Sequence, residues 1–432
     1  MAPDWAQYHQ GEPSDVSVTL VFFAAVNLAI IFLAIAVPLG NRRFSLSRTI
    51  DAPRETLWSA LHPFGADAGW SGQILAAEPD PDGRGGTITL SWIGRDNLPI
   101  RRRIAIDEIS PGSAFAERVI DDSSLDAAFW ANWESLVQLE EQPDGKVKVT
   151  ITRGDRYRGA AFLVFRWFAA RRELVKLKTW AETGRYKPGG LFEHPVTQIA
   201  MAGLSALVLW PVFGLDAGGF TLALALTLVI GLHELGHMAA FRIMGHRSAR
   251  MIFIPVLGGV AIGGRPYDSR YEIAFVALMG AGFSALLLPA AIAGHDMAFA
   301  AGNRALASFL GAVAACAAFF NLANLVPVWK FDGGQVLRQI TPDRSVARFA
   351  ASMAVLLSVA GFGWLAGMQP PALLTGCAVM TLLSVITVNS GVKPRMAMKP
   401  IKPGERALIS AGLAAAICVH GTGMVWAIQS FF

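Results

Sequence analysis

Hydrophobic and polar positions divide this chain into two kinds of segment. Stretches near 16–40, 196–214, 219–241, 272–294, 305–326, 346–367, 371–390 and 406–428 are almost continuously apolar. Each is close to the ~20 residues a helix needs to cross the hydrocarbon core, so the pattern predicts about eight membrane spans. Between the first two, residues 43–185 read differently: apolar and polar residues alternate over short runs, as in half-buried strands. Arg43 to Ile50 opens this region as a strand, and Arg54 to Leu61 follows as a short helix with Asp51 as its cap. Further strands are expected at 72–79, 86–93, 99–108, 113–120, 128–140 and 146–153, with Asp-Gly and Pro-Gly turns at 82–83, 111–112 and 144–145. An amphipathic helix from about 156 to 183 closes the region. The expected fold class is a multi-pass α-helical membrane protein carrying an inserted soluble α+β domain.

Composition agrees with that division. Of 432 residues, 53% are hydrophobic, and the mean hydropathy is +0.44. The first apolar stretch reads as an anchor: it is too long for a signal-peptide core, and its flank carries Asp4, Glu12 and Asp15 but no Lys or Arg. A net charge of +5 does not point to nucleic acid, because the basic residues gather in short loops. Arg42 and Arg43 follow the first stretch, Arg242, Arg247 and Arg250 the third, and Lys393, Arg395, Lys399, Lys402 and Arg406 precede the last. Excess Lys and Arg marks the cytoplasmic side, which puts the α+β domain in the cytoplasm; a bacterial inner membrane is the expected location. Cys316, Cys377 and Cys418 all fall inside apolar stretches and read as packing residues.

Ionisable groups inside an apolar stretch are functional candidates, since burying a charge at bilayer depth costs several kcal/mol unless it is paired or metal-bound. Leu232-His233-Glu234-Leu235-Gly236-His237 places three there. On a helix His233 and His237 share a face and can turn their imidazoles to one cation, while Glu234 is placed to polarise a water. A catalytic zinc takes three protein ligands and leaves a position open. Asp268 and Glu272 lie in a polar loop; Asp332, in Asn324-Leu325-Val326-Pro327-Val328-Trp329-Lys330-Phe331-Asp332-Gly333-Gly334, is the better third ligand. Pro327 must break the helix there, and Gly333-Gly334 permits close backbone approach. The competing reading of Asp332 is an ion pair with Lys330 or Arg338.

Together, H-E-x-x-H in one span and N-x-x-P-x-x-x-x-D-G after a later one resemble the site-2 protease family of intramembrane zinc metalloproteases. The resemblance covers about 196–400. It implies that His233, His237 and Asp332 hold Zn2+, that Glu234 is the general base, and that Asn324 helps hold the substrate or its oxyanion. Phe253 to Gly264, too short and glycine-broken to cross, resembles the family's membrane-embedded hairpin (251–264). There Gly258, Gly259, Val260 and Ala261 would offer an edge strand to an unwound substrate, with Pro327 also contributing; a plug without substrate contact is the alternative. Met279-Gly280-Ala281-Gly282 lacks the proline and asparagine of many members, a departure that bears on substrate positioning.

The inserted domain, with its Ile50-Asp51-Ala52-Pro53-Arg54-Glu55-Thr56-Leu57-Trp58 opening, resembles the START-like, or polyketide-cyclase-like, helix-grip fold. That resemblance implies a hydrophobic ligand; Trp58, Trp70, Trp92, Phe129, Trp130 and Trp133 are candidates for its cavity or simply for the domain core. The basic run on the closing helix (Arg166, Arg171, Arg172, Lys176, Lys178) reads as a headgroup contact or a solvated face. The domain organisation is then an N-terminal anchor (1–42), a START-like domain (43–185), a protease core (186–400) and a last span (401–432). The function implied is hydrolysis of membrane-anchored proteins, with the START-like domain in the regulatory place. The other reading is a membrane-tethered sensor of a lipid or small hydrophobic ligand with a non-proteolytic zinc site. A metal transporter fits poorly, because the ligands form one cluster, and His420, alone in the last span, is expected to bond within the bundle.

Overall fold

The computed structural model describes residues 29, 32–186, 194–246, 248–254, 258–328, 330–342, 345–387 and 395–431. A π-helical turn, Phe32–Ala36, leads directly into strand β1, Pro38–Ile50. The strand therefore starts inside the expected first span, most of which lies outside the described residues. Helix α1 (Arg54–Leu61) is followed by β2 (Ile74–Pro79), β3 (Gly85–Ile93), β4 (Pro99–Ser110) and β5 (Ala114–Asp122). A helical turn α2 (Ala127–Trp130) precedes β6 (Glu134–Glu141), β7 (Val147–Arg158) and the long helix α3 (Ala160–Thr183).

The seven strands form one antiparallel sheet in the order β1-β7-β6-β5-β4-β3-β2. Alternation sets which face is inward: Val147, Val149 and Ile151 point with Ile50, Leu57 and Phe115 into a core closed by Leu174 and Leu177 of α3. Gly83, Gly112 and Gly145 turn the hairpins at φ of 68°, 68° and 79°, a conformation open to glycine. Two expectations are corrected. The 128–140 run is not one strand, because Asp126 accepts a hydrogen bond from Ala128 N and starts a helical turn there. Asp51 does not cap α1; the residue before that helix is Pro53, and Asp51 N donates to Glu182 at the end of α3.

The remaining chain forms α4 (Pro195–Phe213), α5 (Ala217–Ile243), a two-stranded hairpin of β8 (Arg250–Ile254) and β9 (Gly258–Ile262), α6 (Arg270–Ala300) and α7 (Arg304–Asn324). The short α8 (Asp332–Ile340), α9 (Ser345–Leu365), α10 (Pro370–Thr387) and α11 (Pro403–Phe431) complete it. Six of these helices are long and apolar enough to cross a membrane: α4, α5, α6, α7, α9 and α11. α6 and α7 pack on α5 through small residues such as Ala274, Ala281, Ala314 and Ala318, which let backbones approach closely where lipid offers no hydrophobic driving force. At Gly236 the approach is close enough that a Cβ would strike Met279 O of α6.

Candidate metal centre

One face of α5 is buried along Val229, His233, Gly236 and Ala240, the i, i+4, i+7 stripe of a helix facing a core. His233 and His237 leave this face side by side. Space for them comes from Gly280 of α6, where a Cβ would lie 2.6 Å from ring atoms of both imidazoles. Asp332 arrives from the other side. α7 stops at Asn324, the chain turns through Pro327, and α8 begins with Asp332. Gly333 allows that turn, since a Cβ there would collide with the Leu325 carbonyl.

The three side chains meet in a buried cluster that could hold a metal ion. Asp332 Oδ2 lies 3.1 Å from His233 Nε2 and 3.4 Å from His237 Nε2, and the two Nε2 atoms are 3.1 Å apart. Metal–ligand bonds of ~2.0–2.1 Å in a tetrahedral site require ligand atoms ~3.3 Å apart.

Hydrogen bonds fix how the two imidazoles are turned. Asn321 Nδ2 donates to Ala317 O at 2.8 Å, so its Oδ1 faces His233 Nδ1 at 2.7 Å and the ring nitrogen is the donor. His237 Nδ1 likewise donates to Val276 O at 2.7 Å. With each Nδ1 committed outward, each Nε2 is turned toward the Asp332 carboxylate, whose Oδ2 has no other partner. Three such atoms converging so closely call for a proton or a cation among them, and their spacing suits a cation. The residues fit a metal, and the outer hydrogen bonds orient its ligands.

Glu234 is buried beside this cluster, and its Oε2 accepts a hydrogen bond from Ala261 N of β9 at 2.8 Å. Gly259 lies under the same side chain, where any Cβ would overlap Glu234. Gly258 and Gly259 open β9, and Val260 is exposed. Pro327 sits in the turn between α7 and α8, partly buried. Asn324 Nδ2 donates to Phe320 O of its own helix at 3.1 Å. The asparagine that touches the cluster is Asn321, which the motif did not single out. His420 is buried and faces Ala281 O at 2.9 Å, within the bundle as expected.

Glu272 does not lie in a loop. It is buried in the first turn of α6, where Ser269 Oγ caps its N–H at 3.1 Å. Its carboxylate gathers His246 Nε2 at 2.7 Å, Arg265 Nη2 at 2.8 Å and Asp268 N at 2.7 Å. This hub ties the end of α5 and the segment after β9 to the head of α6. A loop joins the same place to the sheet domain. Lys399 N donates to Asp268 O and Arg270 N to Lys399 O, each at 3.0 Å. Four residues earlier, Arg395 N donates to Ser124 O at 3.1 Å, and the Arg395 guanidinium pairs with Asp121.

Inside the sheet domain a second polar cluster lies above the apolar core. Glu117, Ser135 and Arg153 share one cross-strand row, and Glu173 of α3 meets Arg153 at 2.7 Å. Arg102 pairs with Asp122 at 2.9 Å and lies over the Trp130 ring at 4.3 Å. Burial pushes the Glu117 carboxyl up to about 7, against the pull of the Arg153 guanidinium. Of the six candidate aromatics, Trp130 and Trp133 are core, Trp58, Trp70 and Phe129 pack at its margin, and Trp92 is exposed.

No family model matches this chain, and no curated protein matches it. Solved structures align with the sheet domain at low similarity. XoxI from Bacillus cereus is 12% identical over 34% of this chain and 99% of its own, with a TM-score of 0.26. A START superfamily protein from Mycobacterium smegmatis is 11% identical over 33% of this chain and 99% of its own, also at 0.26. The Aha1 dimer from Colwellia psychrerythraea is 17% identical over 33% and 98%, again at 0.26. The helix-grip description of the domain rests on its own strand order and closing helix.

Proposed function

We propose that this protein is an intramembrane zinc metalloprotease that hydrolyses peptide bonds in or near the transmembrane segments of membrane-anchored proteins. The observation that carries the proposal is the convergence of His233 Nε2, His237 Nε2 and Asp332 Oδ2 on one point inside the apolar helix bundle, with both Nδ1 atoms held outward by hydrogen bonds. A zinc ion bound there would supply Lewis acidity and bring the pKa of a water toward ~7. Glu234 supports the hydrolytic reading: its carboxylate adjoins the ligands on α5, where it can take a proton from water and return it to the leaving amine. The Ala261 N–H that holds Glu234 points off the outer edge of β9. A substrate segment adding to that edge by strand pairing would lie alongside the carboxylate. Helical substrates must unwind first, because their carbonyls are already hydrogen-bonded. Val260, exposed on β9, and the broken turn at Pro327 supply the remaining contacts of this reading.

The test compares membranes expressing wild type with Glu234→Gln by terminal proteomics. Gln keeps the ligands and removes the base, so fragments of membrane proteins should appear with wild type alone. Identical profiles, with zinc retained by both purified proteins, would overturn the protease assignment. A ligand-sensing role for the sheet domain would then be the reading left standing.

A further inference from the structure

Among the described residues, the contacts of the sheet domain with the membrane core gather at one end of the sheet. Pairing of Pro38 with Arg158, Gly154 with Glu134, Arg102 with Asp122 and Ile93 with Pro99 places these residues at the same end of the sheet. There the chain enters from the turn at Phe32–Ala36, with Gly159 N bonded to Val37 O at 2.8 Å. The loop before α11 also touches that end, through Arg395 on Asp121 and Arg95 on Met396 O.

The same end is apolar on its outside. α3 begins there, and its face turned away from the sheet shows Val164 at 50%, Phe165 at 65% and Phe168 at 52% exposure. These positions stack on one helix face, and Arg171 and Arg172 continue it one turn further from the end. Phe162, Arg166, Ala170 and Glu173 occupy the opposite face, toward the sheet. At the β3–β4 tip, Trp92 and Leu98 are 51% and 61% exposed beside Arg95. Strand order separates β7, where α3 starts, from β3 by four strand spacings, or ~19 Å. A flat apolar layer rimmed by anionic groups matches both, with aromatics at interface depth and arginines outside them.

We propose that this end of the sheet domain docks on the lipid bilayer itself. The first two turns of α3 and the β3–β4 tip enter the interfacial layer, and Arg171 and Arg172 stand at anionic headgroups. This inference is independent of the protease reading and needs no turnover to test. Nitroxide labels go at Phe165, Phe168 and Leu98 of the full chain, after Cys316, Cys377 and Cys418 are changed to Ala. A label at Asp144, in the turn at the opposite end of the sheet, serves as the water-exposed control. The protein is placed in nanodiscs of phosphatidylcholine with a minority of phosphatidylglycerol. Accessibility to oxygen and to a water-soluble nickel chelate is then read by electron paramagnetic resonance. The expected result is an oxygen-to-nickel ratio several-fold higher at the three labels than at Asp144. Nickel access equal to the control would overturn the proposal by showing a solvated face. Shielding from both reagents would overturn it by showing that protein covers the patch, either residues 1–31 or a second copy.

Discussion

Replacing Asn321 by Leu removes the one acceptor held by His233 Nδ1 while leaving all three candidate metal ligands in place. Asn321 is fully buried, so no water takes over its role. A buried donor left without a partner costs ~1–3 kcal/mol. At ~1.4 kcal/mol per tenfold, the metal-bound state loses a factor of ~5 to ~150 in affinity. That range overlaps the ~10–100-fold commanded by hydrogen-bond partners of metal ligands in general. The assay is competition for zinc between purified protein and a chromophoric chelator, with a melting curve to confirm that the variant is folded. Asn324→Leu is the matched control, because Asn324 bonds only its own helix among the contacts described. The reasoning fails if Asn321→Leu binds zinc as tightly as wild type, or if Asn324→Leu loses as much.

Gly280→Ala should weaken zinc binding without touching a ligand, since its Cβ would lie 2.6 Å from both imidazoles and overpacking costs ~1–3 kcal/mol; unchanged chelator competition would refute this. Gly259→Ala should displace Glu234 rather than the metal, so zinc affinity holds while fragment production falls, and parallel loss of both would count against the assignment. Glu117 carries a carboxyl raised from 4.5 to about 7, so the folded domain keeps a proton that the unfolded chain has released. Its stabilising contribution is complete below 4.5 and is lost as pH rises to about 7. Glu117→Gln should therefore flatten the decline in melting temperature across that window, and equal slopes for the two proteins would disprove it.

Much of the His233–His237–Asp332 cluster was legible because covalent geometry sets it: two histidines four residues apart on a helix share a face whatever the tertiary structure. Asp332 was legible for a related reason, as a carboxylate delivered by a proline-broken helix and two glycines. Asn321 was not. It and Asn324 are three residues apart and differ by only ~60° in helical azimuth, so which one meets His233 depends on how α7 rolls against α5. Its one local signal was an amide within an apolar helix. The sheet domain followed its alternation and turns, apart from α2, where the Asp126 cap was hidden by an apolar run. The α6 hub around Glu272 and the bond between Arg395 and Asp121 join residues far apart in the chain, and no local pattern announces them.

From Arg395 to Lys399 is four backbone steps, at most ~15 Å even when drawn straight. One end of this tether grips the sheet domain and the other pairs with the head of α6. The domain has a second fixing where the turn at Phe32–Ala36 packs between α3 and α10. Any translation of the sheet domain beyond the tether's slack must peel Arg395 from Asp121 or unpair Lys399 from Asp268 and Arg270. The tether thus acts as a stop, and the near end of the sheet domain can shift only within its slack before it pulls on the head of α6.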